Sequence, residues 1–183
     1  GAPVGTNYNF RVNGGSVQNG ALSTFTTTSL TNGQTVDVIV TSAAGCSGTS
    51  GVITMTVNGN PVAGLTSSDG DNIICAGTGV TFTGSGGSSY EFFVDGTSVQ
   101  SGLSSTYVTS VLSGGQTVTV KVSNAAGCST TSAGITTVVN ANPVASLVSN
   151  DSDNIICAGT SVTFTGAPVG TNYNFRVNGG SVQ

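Results

Sequence analysis

The chain has 183 residues, only 5% of them charged, with 3 Lys+Arg against 7 Asp+Glu, a net charge of −4 and no histidine. Phosphate binding needs clustered Lys and Arg, and Ser-His or Cys-His nucleophiles need an imidazole, so nucleic-acid binding and those hydrolytic chemistries are excluded as leading readings. Sparse charge combined with abundant Thr and Val argues against a disordered, solvated chain and for pleated strands. No apolar run approaches a membrane span, and no basic-then-apolar leader opens the chain.

The chain repeats itself. Residues 1–18, GAPVGTNYNFRVNGGSVQ, return letter for letter as 166–183, and DNIICAGT at 71–78 returns at 153–160. AAGCS at 43–47 returns at 125–129, and GQTV at 33–36 returns at 115–118, each 82 positions on. Such periodicity marks an array of small modules. Because the chain starts and stops at one phase of the repeat, it is expected to be a segment of a longer periodic chain.

Taken in order, the first unit (1–59) is read as the back of one module. Tyr8 and Phe10 occupy inward phases. In Gln34–Thr41, Val36, Val38 and Val40 alternate with Thr35, Asp37 and Ile39, which is the period of a half-buried strand. Asn60-Pro61 and Asn142-Pro143 mark module edges, since proline stops a strand and stiffens a junction.

The middle unit (60–141) is read as a complete module. Its strands are placed at Val62–Thr66 (A), Gly79–Gly84 (B), Tyr90–Asp95 (C), Thr97–Gln100 (a short C′), Thr106–Leu112 (E), Gln116–Asn124 (F) and Gly134–Asn140 (G). The third unit (142–183) is read as the front of another module. Seven short strands with turn signals between them predict an all-β fold: tandem immunoglobulin-like β-sandwich modules in an extended array. Tyr8, Phe10, Phe25, Tyr90, Phe92 and Tyr107 are the expected core aromatics.

Four cysteines, Cys46, Cys75, Cys128 and Cys157, form two interleaved sets. Regular spacing without histidine favours disulfides over metal or catalysis. In an immunoglobulin-like sandwich the start of strand B and the end of strand F lie at opposite ends, roughly 30 Å apart for ten-residue strands at ~3.3 Å per residue. A disulfide needs Cα atoms within about 7 Å. A staple between neighbouring modules, joining Cys75 to the F–G cysteine of the following one, therefore fits better than a Cys75–Cys128 bond, with free thiols as a third alternative.

Two matching acidic loops, Asp69-Gly-Asp71-Asn72 and Asp151-Ser-Asp153-Asn154, precede strand B. Their oxygens are of the kind Ca²⁺ uses, but no full loop of alternating ligands with a closing Glu is present, and an Asx-type turn on a solvated loop is the simpler reading. Phe93, on the outward phase of strand C where the first unit has Arg11, is a candidate surface contact for sugar or protein. Asn150-Asp151-Ser152 matches a glycosylation acceptor. No pocket-forming acid pair is visible, so no enzyme is expected.

The order IICAGTxVTFTG, Tyr-x-Phe or Phe-x-Val-Asn/Asp-Gly, GQTVxVxV, AAGCS, then a Val-rich strand and Asn-Pro-Val resembles the immunoglobulin-like repeats of giant surface adhesins of gliding bacteria. The resemblance implies a dedicated export route, an extracellular location on the bacterial surface, and a filament mediating attachment. On this reading the chain is a stalk or spacer whose partners are its neighbouring modules. Two rivals stand beside it: a carbohydrate-binding array that holds a surface glycan or substratum, and an extracellular structural filament that self-associates laterally.

Overall fold

The computed structural model describes residues 7–168 and 172–182, so the outermost residues of the predicted first and third units, and 169–171, lie outside the described residues. All regular structure among the described residues is β. The first unit holds β1 (Asn7–Val12), β2 (Gly15–Gly20), β3 (Thr35–Thr41), β4 (Ser47–Thr49) and β5 (Ile53–Thr54) in a single sheet, with β3 central between β1 and the β4/β5 return. The β1–β2 turn is Asn13-Gly14 with φ of 49° and 79°. This is the two-residue hairpin geometry that Asn-Gly favours.

The middle unit is a two-layer sandwich. Its strands are β6 (Gly64–Ser67), β7 (Ile73–Cys75), β8 (Val80–Ser85), β9 (Ser89–Val94), β10 (Thr97–Gly102), β11 (Thr106–Thr109), β12 (Thr117–Ser123), β13 (Ser129–Thr131), β14 (Ile135–Thr136) and β15 (Val138–Asn140). One layer runs β11-β8-β6; the other runs β10-β9-β12-β13, with β14 also on β12. Between them, Val80 and Phe82 meet Phe92, Val118, Val120 and Val122, all at most 1% exposed. The Tyr107 ring lies 6.4 Å from that of Phe82 and 5.7 Å from that of Phe92, tying the layers together. The predicted inward phases of Tyr90, Phe92 and Tyr107 are those observed.

The predicted B, C and F strands match to within a residue, and three departures are informative. Predicted E ends early, at Thr109, because β11 has only four residues of β8 opposite it (Thr106↔Thr83 to Thr109↔Val80). Predicted G is broken at Thr137, where the chain leaves β12 and crosses to pair in parallel with β7. β7 itself, in the segment read as a loop before strand B, is the third departure. Ile74, 7% exposed, fills the core from there.

Glycine is required where segments approach closely. At Gly86, φ is +100° and an added Cβ would overlap the Val62 carbonyl oxygen. The B–C loop can therefore lie against the segment leading in from the first unit.

The third unit contains β16 (Ser146–Ser149), β17 (Phe164–Ala167), β18 (Arg176–Val177) and β19 (Gly180–Ser181), in two two-stranded pieces.

Candidate functional site at the module junctions

The middle sandwich has two poles, and each is bonded to a connecting segment. At the upstream pole the turn after β12 closes by Asn124 N–H to the Cys128 carbonyl (3.0 Å) and Gly127 N–H to the Asn124 carbonyl (3.0 Å). Asn124 Oδ1 accepts from the N–H groups of Ala126 and Cys128, so its amide is locked. That leaves Nδ2 to donate to the Gly59 carbonyl at 2.9 Å. The Cys128 thiol lies 3.6 Å from the Asn58 carbonyl.

At the downstream pole, β7 runs out beside β15. Ala76 N–H donates to the Asn140 carbonyl at 2.9 Å, and Asn142 Nδ2 donates to the Ala76 carbonyl at 2.9 Å. Cys75, exposed, stands next to that clamp. The chain thus enters beneath the F–G turn and leaves beside the Cys75–Ala76 turn.

This placement bears on the thiols. Cys46, Cys75, Cys128 and Cys157 are all free in this structure, so no Cys75–Cys128 bond is formed; the staple expected between neighbouring modules takes its second cysteine from past Gln183. The physical reason is the one topology supplies: Cys75 and Cys128 sit at opposite poles.

Sequence reasoning missed the clamping residues. Asn142 was legible only through its proline. Asn124 carried a faint signal, since it stands where the first unit has Ser42, whose shorter side chain also caps the turn through Cys46 N–H (3.2 Å).

The acidic loops behave mostly as turns. Asp71 Oδ1 accepts from Ile73 N–H and Asp153 Oδ1 from Ile155 N–H, each at 3.0 Å. Asn72 and Asn154 take φ of 58° and 57°, a region Asn tolerates. Asp69 Oδ2, Asp151 Oδ2 and Asn72 Oδ1 are buried without a hydrogen-bond partner, as is the hydroxyl of Thr137, which is 1% exposed. Thr137 adjoins Asn72 in register, because Val138 N–H donates to the Asn72 carbonyl at 2.8 Å. Among the described residues no three His, Cys, Asp or Glu side chains group as metal ligands.

Phe93 is half-buried rather than projecting; it lies between Ser98 and Thr119 on the outer face, next to the Glu91–Lys121 pair (3.9 Å). The first unit puts Arg11 and Asp37 at the same two outer positions. Arg11 Nε donates to Asp37 Oδ1 at 2.8 Å and Nη2 to Oδ2 at 2.6 Å. This two-pronged bond, partly offset by desolvation, holds the Asp37 carboxyl below its ordinary range and raises the guanidinium further. A shallow cleft of about 390 Å³ beside β9 and β11 offers one carboxylate, Asp95, whose Oδ1 already accepts from Thr117 N–H at 2.9 Å.

No protein-family model matches the chain, and no curated protein matches it. Among solved structures it is similar to the fibronectin(III)-like modules of Clostridium thermocellum CbhA. That match has 12% identity and a TM-score of 0.44, and spans 76% of this chain and 81% of that one. An amphioxus IgVJ-C2 molecule matches at 15% identity and a TM-score of 0.35, over 73% of this chain and 89% of that one. A Bacteroides ovatus mixed-linkage glucan utilization protein, SGBP-B, solved with a heptasaccharide, matches at 15% identity and a TM-score of 0.27, over 80% of this chain and 41% of that one. At these values the likenesses do not bear on function, and the β-sandwich stands on the strands and core described above. No helix among the described residues is long and apolar enough to cross a membrane.

Proposed function

We propose that the chain is a non-catalytic spacer segment of an extracellular surface filament, of the kind found in bacterial adhesins. Its sandwich modules are coupled stiffly through their connecting segments. The observation that carries this reading is the pair of clamps, Asn124 to Gly59 and Asn142 to Ala76, at opposite poles of one sandwich. A module that only needed tethering would leave its linkers free; bonding both restricts bending, which is what a stalk requires. The sequence periodicity, the neutral Ser/Thr surface and the Asn-Pro junctions support the same reading.

The junctions also give the thiols a use. The Cys75-type cysteine of one module and the Cys128-type cysteine of the next flank the same connecting segment, so an intermodule staple is the pairing this geometry favours.

Small-angle scattering on the chain and on the Asn124→Ala/Asn142→Ala double variant tests the coupling. The variant is expected to scatter as a more flexible particle with an unchanged circular dichroism spectrum. Identical flexibility in the two proteins would remove the basis for a clamped stalk.

A further inference from the structure

Five Asn-Gly pairs stand in the chain, at 13–14, 19–20, 32–33, 58–59 and 178–179. Such a pair is chemically labile, because glycine has no Cβ to shield its N–H and that nitrogen can attack the side-chain amide carbon of the asparagine before it. The two atoms must first come to about 3–3.5 Å in good alignment. A hydrogen bond or ladder that fixes either of them suppresses the reaction.

The fold holds four of the five. Asn13 Oδ1 accepts from Thr35 N–H at 2.9 Å. Asn178 takes the same left-handed turn conformation as Asn13, φ of 48° against 49°, inside the Val177↔Gly180 pair. Asn19 Oδ1 accepts from Asn7 Nδ2 at 2.8 Å, and Gly20 lies opposite Tyr8 in the β1–β2 ladder. Asn32 Oδ1 accepts from Val57 N–H at 3.0 Å, while Gly33 N–H donates to the Met55 carbonyl at 2.9 Å.

Asn58-Gly59 is the exception. Both residues are exposed and lie outside every strand. Among the described residues neither the Asn58 side chain nor the Gly59 N–H has a hydrogen-bond partner. Only their carbonyls are engaged, that of Gly59 by Asn124 Nδ2 at 2.9 Å and that of Asn58 by the Cys128 thiol at 3.6 Å. The backbone does not call for glycine here: φ is not positive, and an added Cβ at Gly59 would meet no atom within 4 Å. The equivalent position beyond the middle unit reads Asn140-Ala141, where Asn140 is held opposite Cys75 in the β15–β7 ladder. Asn60 and Asn142 precede proline, which has no N–H to attack with.

We propose that Asn58-Gly59 is a site of spontaneous deamidation, which alters this junction with age and spares its counterpart at 140–141. The Gly59 nitrogen loses its proton and bonds to Asn58 Cγ. The Cγ–Nδ2 bond breaks, and the amide group leaves with that proton as ammonia. The resulting succinimide takes up water at either of its carbonyl carbons, giving aspartate or isoaspartate. Either product adds a negative charge. In isoaspartate the main chain also runs through Cβ and Cγ, so it is one atom longer, and the former Asn58 carbonyl becomes a carboxylate beside the Cys128 thiol. The extra atom carries the Gly59 carbonyl away from Asn124 and loosens the junction, a consequence that rests on the clamp reading above.

The test is to age the full chain in mildly alkaline buffer and map it by peptide mass spectrometry with detection of isoaspartate. Asn58 is expected to react first, ahead of the other four pairs and of Asn140, and faster as pH rises because the attacking nitrogen must lose its proton. In urea the five pairs are expected to react alike. Gly59→Ala is expected to slow the reaction by on the order of tenfold, about 1.4 kcal/mol on the barrier, with unchanged melting. By small-angle scattering the aged chain is expected to be more flexible than the fresh one, and aged Gly59→Ala to match the fresh chain. No reaction at Asn58, earlier reaction at another pair, or an order that urea leaves unchanged overturns the site. Reaction at Asn58 with unchanged scattering overturns the loosening. In that case the Asn124→Ala/Asn142→Ala variant decides the clamp reading separately, which stands if that variant is more flexible and falls if it is not.

Discussion

Phe92 and Phe93 are adjacent in sequence and face opposite ways, so replacing each with alanine separates core packing from surface contact. Phe92 is 0% exposed, meets the Tyr107 ring at 5.7 Å and lies opposite Val120 on β12. Truncating a buried Phe to Ala typically costs about 3–5 kcal/mol, through lost transfer energy and the cavity left behind. A module the length of residues 60–141 holds only about 4–12 kcal/mol in total, at roughly 0.05–0.15 kcal/mol per residue. Phe92→Ala is thus expected to remove a quarter or more of the margin and to lower the melting temperature by about 12–40 °C, at roughly 4–8 °C per kcal/mol for a domain of this size. Phe93, half-buried on the outer face against Ser98 and Thr119, is expected to cost about 1 kcal/mol or less on truncation. Urea titration followed by tyrosine fluorescence reads both. Equal losses for the two variants, or a Phe92→Ala loss below about 1 kcal/mol, would refute the assignment of β9's inner face to the core.

Two further outcomes follow from the charged groups. The Asp37 carboxyl is held below its ordinary value by Arg11, so its stabilising contribution is complete above the unfolded value near pH 4 and is lost as pH falls through the lowered folded value. The stability difference between the wild-type chain and Asp37→Asn, followed by urea midpoint, is therefore expected to be flat above about pH 5 and to shrink below about pH 4. A difference that instead grows with acid would contradict the sign. Calcium is expected to leave the melting temperature unchanged relative to chelator. Ca²⁺ takes six to eight oxygens, and Asp71 Oδ1 and Asp153 Oδ1 are already committed to backbone N–H groups. A rise in melting temperature with calcium, abolished by Asp69→Asn, would place a cation among the unpartnered oxygens of Asp69, Asn72 and Thr137.

Much of the sandwich was legible from local pattern. Period-two alternation located β8, β9 and β12, because one face of each is buried and the other is not. Asn13-Gly14 and Asp95-Gly96 sit at hairpin turns where both residues take positive φ, a conformation Asn-Gly and Asp-Gly favour. The turn after β12 was visible as AAGC, with Gly127 at φ +82°. Its clamp onto Gly59 was not, since that contact spans 65 positions and leaves no local periodicity. Thr137 was likewise hidden: a strand that changes partners midway reads as one continuous run.

The repeats draw the boundary most sharply, because they hold sequence constant. DNIICAGT forms β7 at 71–78, with Ile74 7% exposed, yet forms no strand at 153–160, where Ile156 is 52% exposed. β7 exists through its parallel ladder with β15, and 153–160 has no such partner among the described residues. Asn7–Gln18 forms the long β1–β2 hairpin against β3. The same letters at 172–182 form, among the described residues, a ladder of two pairs nearest the turn, Arg176↔Ser181 and Val177↔Gly180, in the register of Arg11↔Ser16 and Val12↔Gly15. The sequence by itself determined the turns, the hairpin register and which side chains are apolar, since these depend on backbone sterics and alternation within a few residues. Only the tertiary structure decided which of those stretches became strands and which apolar faces were buried, because a ladder's hydrogen bonds and a core's burial both need a partner from elsewhere in the chain.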